Sequence, residues 1–186
     1  MEDKERLYYK YSRQLSGNED IRLIVLTDRN NERLITLICE AATANAIELR
    51  VNNRNPTKNQ LPEVTINMLR ERGALNLEFT ISDIEDGQYI SYIYDGDKDK
   101  KYQIRASDGI LFAIVANLPI YIDSELMKRQ AMKDRGLLTR INVPVNTLTT
   151  SMLEENLQKA LDNEDYRTAS TLHHELEKRK KNHISE

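Results

Sequence analysis

The sequence predicts an α+β fold: a mixed or antiparallel sheet with packed helices, followed by a linker and a C-terminal α-helical hairpin. Three observations carry this. Apolar residues alternate with polar ones at Leu75, Leu77, Phe79 and Ile81, as in a half-buried strand. Hairpin signals such as Asp86-Gly87 join neighbouring strands directly, so the order is not a regular strand-helix repeat. Beyond Thr150, apolar residues recur every three or four positions through two consecutive segments, the period of paired helices.

In chain order, Ile21, Leu23 and Val25 lead to the polar run Asp28 to Glu32, and Leu34 to Ile38 follows, giving two strands joined by a hairpin, the second expected to be central. Glu40 to Val51 fits a helix held close to a sheet by small residues. Asn52 to Gln60 reads as a loop. Pro62 at a first turn and Gly73 after Arg70 and Arg72 bound a second helix. The strand from Leu75 turns at Asp86-Gly87 into Tyr89 to Tyr94, turns again at Asp95 to Asp99, and returns over Lys101 to Arg105. Asp95-Gly96-Asp97-Lys98-Asp99 imitates the opening of a calcium loop, but Lys100 stands where that loop requires glycine. Ser107 is the expected N-cap of an apolar helix with Asp108 in its first turn, and Leu118 to Ile122 is a short strand before a charged helix from Ser124.

Residues 136-149 read as a linker between a domain over 1-135 and a hairpin over 150-186. Ser151 and Glu154 suggest a capping box opening its first helix, with Met152, Leu153, Leu157, Ala160 and Leu161 on one side. A second helix is expected near Glu164, with Tyr166, Ala169, Leu172 and Leu176 sharing the seam. Two short helices bury too little to stand well alone, so a partner is expected.

The chain has 186 residues, a formal charge of -3 and a pI near 5.7, so nucleic-acid binding needs a local basic patch rather than a global one. The single cysteine, Cys39, lies in an apolar run and reads as a small buried hydrophobe. A charged N-terminus and short apolar runs predict a cytoplasmic protein with no membrane segment. No nucleotide-binding glycine loop, zinc cluster or Ser-His-Asp arrangement is present.

Arg105, Ser107, Asp108, Ile110, Pro119, Ile120 and Tyr121 match in order and spacing the signature of the bifunctional nuclease family, which the chain resembles over roughly Leu7 to Leu126. Ala106 replaces that family's proline and Gly109 its alanine. Asp83 to Tyr89 is similar to its acidic turn followed by an aromatic residue. Arg33 to Ile38 leads into a helix with Ala44, Ala46 and Ile47, where the family places a glutamate and this chain has Ala42 or Thr43. Lys58, Asn59, Gln60 and Leu61 stand where the family has threonine, histidine, aspartate and leucine, so two ionisable groups are amides here.

The resemblance implies a nuclease acting on phosphodiester bonds in DNA or RNA, with Arg105, Ser107 and Asp108 as the candidate catalytic residues. Arg105 is the candidate substrate contact: it either grips a phosphate beside a helix start or pairs with Asp108 or a strand carboxylate. Asp108 either serves a metal or water, or complements the helix dipole. All three histidines, His173, His174 and His183, lie in the C-terminal segment. Hydrolysis would therefore use carboxylates and a divalent metal such as magnesium or manganese, with Asp83, Glu85, Asp86 and Asp108 the acids near family motifs. Tyr89, Tyr92, Tyr94 and Tyr102 with Lys100 and Lys101 either pack in strands or track single-stranded nucleic acid.

The C-terminal segment resembles the UVR motif of bacterial excision-repair subunits through Leu153, Leu157, Ala160, Glu164-Asp165-Tyr166, Ala169, Leu172 and Glu175-Leu176. That implies a protein partner or a second copy docking through Leu157, Tyr166, Leu172 and Leu176. The alternative function is thus an adaptor whose nuclease-like domain is inactive.

Overall fold

The computed structural model describes residues 3–15, 18–52, 59–73, 75–134 and 145–183. Most of the expected loop at Asn52 to Gln60 and of the expected linker lies outside them. Two compact units are resolved, one formed by Met1–Asp83 with Tyr89–Leu137, the other by Ile84–Gln88 with Leu138–Glu186.

The first unit opens with β1 (Lys4–Leu15), β2 (Asn18–Thr27) and β3 (Arg33–Glu40), then α1 (Ala41–Val51) and α2 (Leu61–Arg70). Next come β4 (Leu77–Glu85), β5 (Gln88–Asp95), β6 (Lys100–Gln103), α3 (Ala106–Ala116), β7 (Ile120–Asp123), α4 (Ser124–Gln130) and the two-residue β8 (Met132–Lys133). The strands form one sheet in the order β6-β5-β4-β7-β1-β2-β3-β8. The β4–β7 pair is parallel, whereas β1 runs antiparallel to both β2 and β7, so the sheet is mixed as expected. Two details depart from expectation. β3 lies beside the short edge strand β8 rather than at the centre, and the centre is held by β7 and by β1, an N-terminal strand not foreseen at all.

The turns follow from their residues. Asp86 and Gly87 both take positive φ, the geometry of a two-residue hairpin turn that continues the strand twist. Asp95 receives the backbone N–H groups of Asp97 and Lys98, fixing the β5–β6 turn. Asp28 accepts from the Glu32 N–H and from Arg33 Nε, tying the β2–β3 turn at both ends.

One side of the sheet carries Leu7, Ile120, Ile122, Phe79 and Ile81, adjacent in the ladder and all buried. Burying each such side chain contributes about 1.5–3 kcal/mol. α3 packs on this side with no slack: a Cβ on Gly109 would fall 2.0 Å from the Phe79 ring. The departure from the alanine expected at position 109 thus has a steric cause. α1 lies against α3 and β2, burying Ala44 and Ile47, and α2 closes on α3 through Ile66 and an Arg70 hydrogen bond of 3.0 Å to the Ala116 carbonyl.

In the second unit a 3-10 turn (Val145–Thr147) precedes α5 (Thr150–Asp162) and α6 (Tyr166–His183), the expected hairpin. Its first cap is not Ser151: Thr149 is the N-cap, its hydroxyl accepting from the Met152 N–H at 3.3 Å. Asp165 caps α6 through the Thr168 N–H. Leu153, Ala160, Ala169, Leu172 and Leu176 are buried in the seam. Arg179, also buried, is held by Glu175, the Thr150 hydroxyl and the Asn146 carbonyl. Leu161 and Tyr166, expected on the seam, stand 46% and 69% exposed, because the chain turns between them at Asn163 to Asp165, where Glu164 takes positive φ. No helix among the described residues is long and apolar enough to cross a membrane.

Candidate functional site

Arg105 ends the segment from β6 and is itself the N-cap of α3, with φ -61° and ψ 139°. The cap expected at Ser107 is therefore two residues late, and Ser107 and Asp108 sit in the first turn. At this end of the fold α3 meets the start of α1, whose N-cap is Glu40. Neither helix has a side-chain cap, so first-turn N–H groups of two helices face the same region without one.

The Arg105 guanidinium spans the gap. Its Nε donates to Asp108 Oδ2 at 2.7 Å and its Nη1 to Glu40 Oε1 at 3.2 Å. Asp108 and then Glu40 raise its pKa, holding it protonated. The group is not buried: the Arg105 and Glu40 side chains are 64% and 67% exposed and Asp108 35%. Such exposed pairs contribute little to stability, about 0–1 kcal/mol, so they open at little cost when another anion arrives. Cys39 lies just behind, its thiol pushed up to about 11 by burial, with the Glu40 and Asp108 charges adding to the shift and the Ala44 N–H opposing it. It is a neutral, buried neighbour.

Glu40 was not singled out in the sequence. Its signal was its place, a carboxylate at a strand end directly before a helix, where an N-cap must fall.

Of the other acids near family motifs, only Asp83 belongs to the first unit, and it is paired elsewhere. Asp83 pairs with Arg129 of α4 at 2.8 Å, and Glu85 and Asp86 lie at the β4–β5 turn, in the second unit. Among the described residues no three His, Cys, Asp or Glu side chains are grouped to hold a metal ion. Gln60 is the N-cap of α2 and accepts from Arg50 Nη2 at 2.9 Å, while Arg50 also clamps Glu63. Arg50 is in the last turn of the eleven-residue α1, and the helix rise carries it about 15 Å from Glu40. The amide-substituted position is thus remote from Arg105.

In the second unit Leu172 and Leu176 are sealed in the seam, Leu157 is half-buried, and Tyr166 is exposed. An open groove of about 540 Å³ runs between the helices past Leu148, Lys159, Ala160, Asp165 and Leu172.

The bifunctional nuclease domain model matches residues 24–135, from within β2 to just beyond β8, and so includes Glu40, Arg105, Ser107 and Asp108. The chain belongs to this family. No curated protein matches it. The family match does not extend to the hairpin, and β1 precedes it.

Proposed function

We propose that this bifunctional nuclease family member hydrolyses phosphodiester bonds of DNA or RNA at the paired starts of α1 and α3. The observation that carries the reading is the exposed guanidinium of Arg105, held between Glu40 and Asp108 where two helix N-termini meet. Arg105 and the first-turn N–H groups bind the phosphate oxygens, and Ser107 adds a hydroxyl to that set. One of the two carboxylates takes a proton from water as its oxygen bonds to phosphorus; the opposite ester P–O bond breaks and the departing oxygen is protonated from solvent.

Two carboxylates against one guanidinium leave the site with one net negative charge, which opposes an incoming phosphate. A divalent ion corrects this. Two carboxylates suit magnesium or manganese completed by water and substrate phosphate, and do not suit a cage built from protein alone. Glu40 and Asp108 would hold it, and it would supply charge neutralisation. The test is cleavage of single-stranded and duplex DNA and RNA with either metal and with chelator. Arg105→Ala, Asp108→Ala and Glu40→Gln are each expected to lower the rate about 100- to 1000-fold, as losing one group that stabilises developing charge does. Equal rates in wild type and all three variants would refute the assignment.

A second reading is favoured by Leu161 and Tyr166, two large apolar side chains exposed where α5 gives way to α6. In it the UVR-like hairpin is an adaptor that docks on a matching hairpin of another protein or of a second copy. Replacing both residues by alanine should abolish co-purification with a partner or lower the mass in solution. Unchanged association would refute it.

A further inference from the structure

The side of the sheet opposite α3 carries a row of tyrosines and cations that the proposed hydrolytic site does not use. Thr80 and Tyr121 are ladder partners pointing away from the Phe79 side, and Arg6 pairs with Tyr121 across β1 and β7. Lys4, two residues before Arg6 on the same face, sits over the Tyr121 ring at 4.6 Å and pairs with Glu78. Arg6 lies 5.3 Å from the Tyr8 ring. Across the sheet, Tyr94 is paired with Lys101 in the ladder and is acted on by the Glu78 charge, and Lys101 lies over the Tyr92 ring at 4.4 Å. The row therefore runs Tyr92, Lys101, Tyr94, Glu78, Lys4, Tyr121, Arg6, Tyr8 across five neighbouring strands. Arg6, Tyr8 and Lys101 are exposed, and Tyr92, Tyr94 and Tyr121 half-exposed.

We propose that this face is a platform for single-stranded nucleic acid, with bases stacked on Tyr8, Tyr121 and Tyr92 and phosphates met by Arg6, Lys4 and Lys101. Strand tyrosines that only fill space become buried. These keep open ring surface, and a cation stands at three of the four rings. Lys4, Arg6 and Lys101 stand against Glu78 and Asp123, the ladder partner of Lys4, with Asp99 at the rim on the Tyr94 hydroxyl, so on a chain of net charge -3 this face is locally balanced. Its two exposed cations, Arg6 and Lys101, can meet phosphates, and flat rings fit unpaired bases, which a duplex does not offer. Four inter-strand spacings make the row about 19 Å wide, enough for the short end of known single-strand sites, about four nucleotides. Binding here does not require hydrolysis at Arg105.

The test is anisotropy of a short fluorescein-labelled oligothymidylate titrated with the full chain in chelator, at low and physiological salt. The chain has no tryptophan, so quenching of tyrosine emission by unlabelled strand is read directly. Tyr92→Ala and Tyr8→Ala are each expected to weaken binding about tenfold, with Tyr92→Phe close to wild type. Arg6→Ala and Lys101→Ala should weaken binding and flatten its salt dependence. Absence of single-strand binding by wild type overturns the proposal, as does undiminished binding by Tyr8→Ala and Lys101→Ala, or equal binding of duplex without tyrosine quenching. A solution mass that falls on Tyr8→Ala also overturns it, since the face would then belong to a second copy. Because chelator suppresses metal-dependent cleavage, loss of binding and loss of hydrolysis are read separately.

Discussion

Replacing Gly109 by alanine isolates one contact that positions the start of α3. On helix propensity alone the change stabilises, by about 0.8–1.0 kcal/mol. Position 109 is inside α3, however, and the new methyl would sit 2.0 Å from Phe79 Cε2 and 2.6 Å from two further ring atoms, against an ordinary contact of 3.4 Å or more. Phe79 is completely buried, so ring or helix must shift by roughly 1.5 Å in a close-packed interior. Overpacking of this kind costs about 1–3 kcal/mol. The net expectation is destabilisation of up to about 2 kcal/mol, a fall of up to roughly 4–8 °C in Tm at about 2–4 °C per kcal/mol for a chain of this size. Thermal melts followed by circular dichroism measure it. Phe79→Leu makes room, so the double variant should be more stable than the sum of the single changes predicts, by about 1 kcal/mol or more. A Tm for Gly109→Ala above that of wild type, or strict additivity with Phe79→Leu, would refute the steric account.

Thr149→Ala should destabilise α5 by about 1 kcal/mol, whereas Ser151→Ala should change little, which denaturant melts of the pair distinguish. Asp123→Ala removes the acceptor for the Leu126 N–H at 2.9 Å and should cost about 1 kcal/mol by the same measurement. The buried Cys39 thiol has its pKa raised to about 11 from 9.0. Its folded value lies above its unfolded one, so its contribution is intact below pH 9 and is lost as pH climbs towards 11; Cys39→Ala should flatten Tm in that window. Under the proposed hydrolysis, Arg105→Lys should lose most activity, because an ammonium cannot donate in parallel to two phosphate oxygens as the guanidinium fork would; full activity in that variant would refute a bidentate role.

Elements with a strong local pattern were legible in the sequence. The apolar alternation of β4, the Asp86-Gly87 turn and the period of α5 and α6 each follow from side chains within a dozen residues of one another. β1 was not legible, because Lys4 to Leu15 interleaves charges with tyrosines and holds only two aliphatic residues, Leu7 and Leu15; its central place comes from having β7, far away in sequence, on the side opposite its hairpin partner β2. Helix starts were misplaced by two residues at Ser107 and Ser151, where a good capping side chain outweighed the backbone geometry that sets the cap at Arg105 and Thr149. At the candidate site Arg105 and Asp108 could be named from their motif. Glu40, 65 positions from Arg105, could be joined to them only once α1 and α3 were placed together. Gly109 looked like a blemish in a signature because its cause, Phe79, lies thirty residues earlier.

The two ends of the strand order bear on solubility. One edge, β6, is short, wholly exposed and carries Lys100 and Lys101; the other, β8, is two residues long. Short edges and lysines resist edge-to-edge growth into aggregates, where a long apolar edge would invite it. With the proposed single-strand platform, Lys101 is subject to two independent demands, keeping foreign strands of protein off the edge and drawing strands of nucleic acid onto the face. A neutral residue there is expected to lower solubility and oligonucleotide affinity together, so neither loss alone would report the residue's full role.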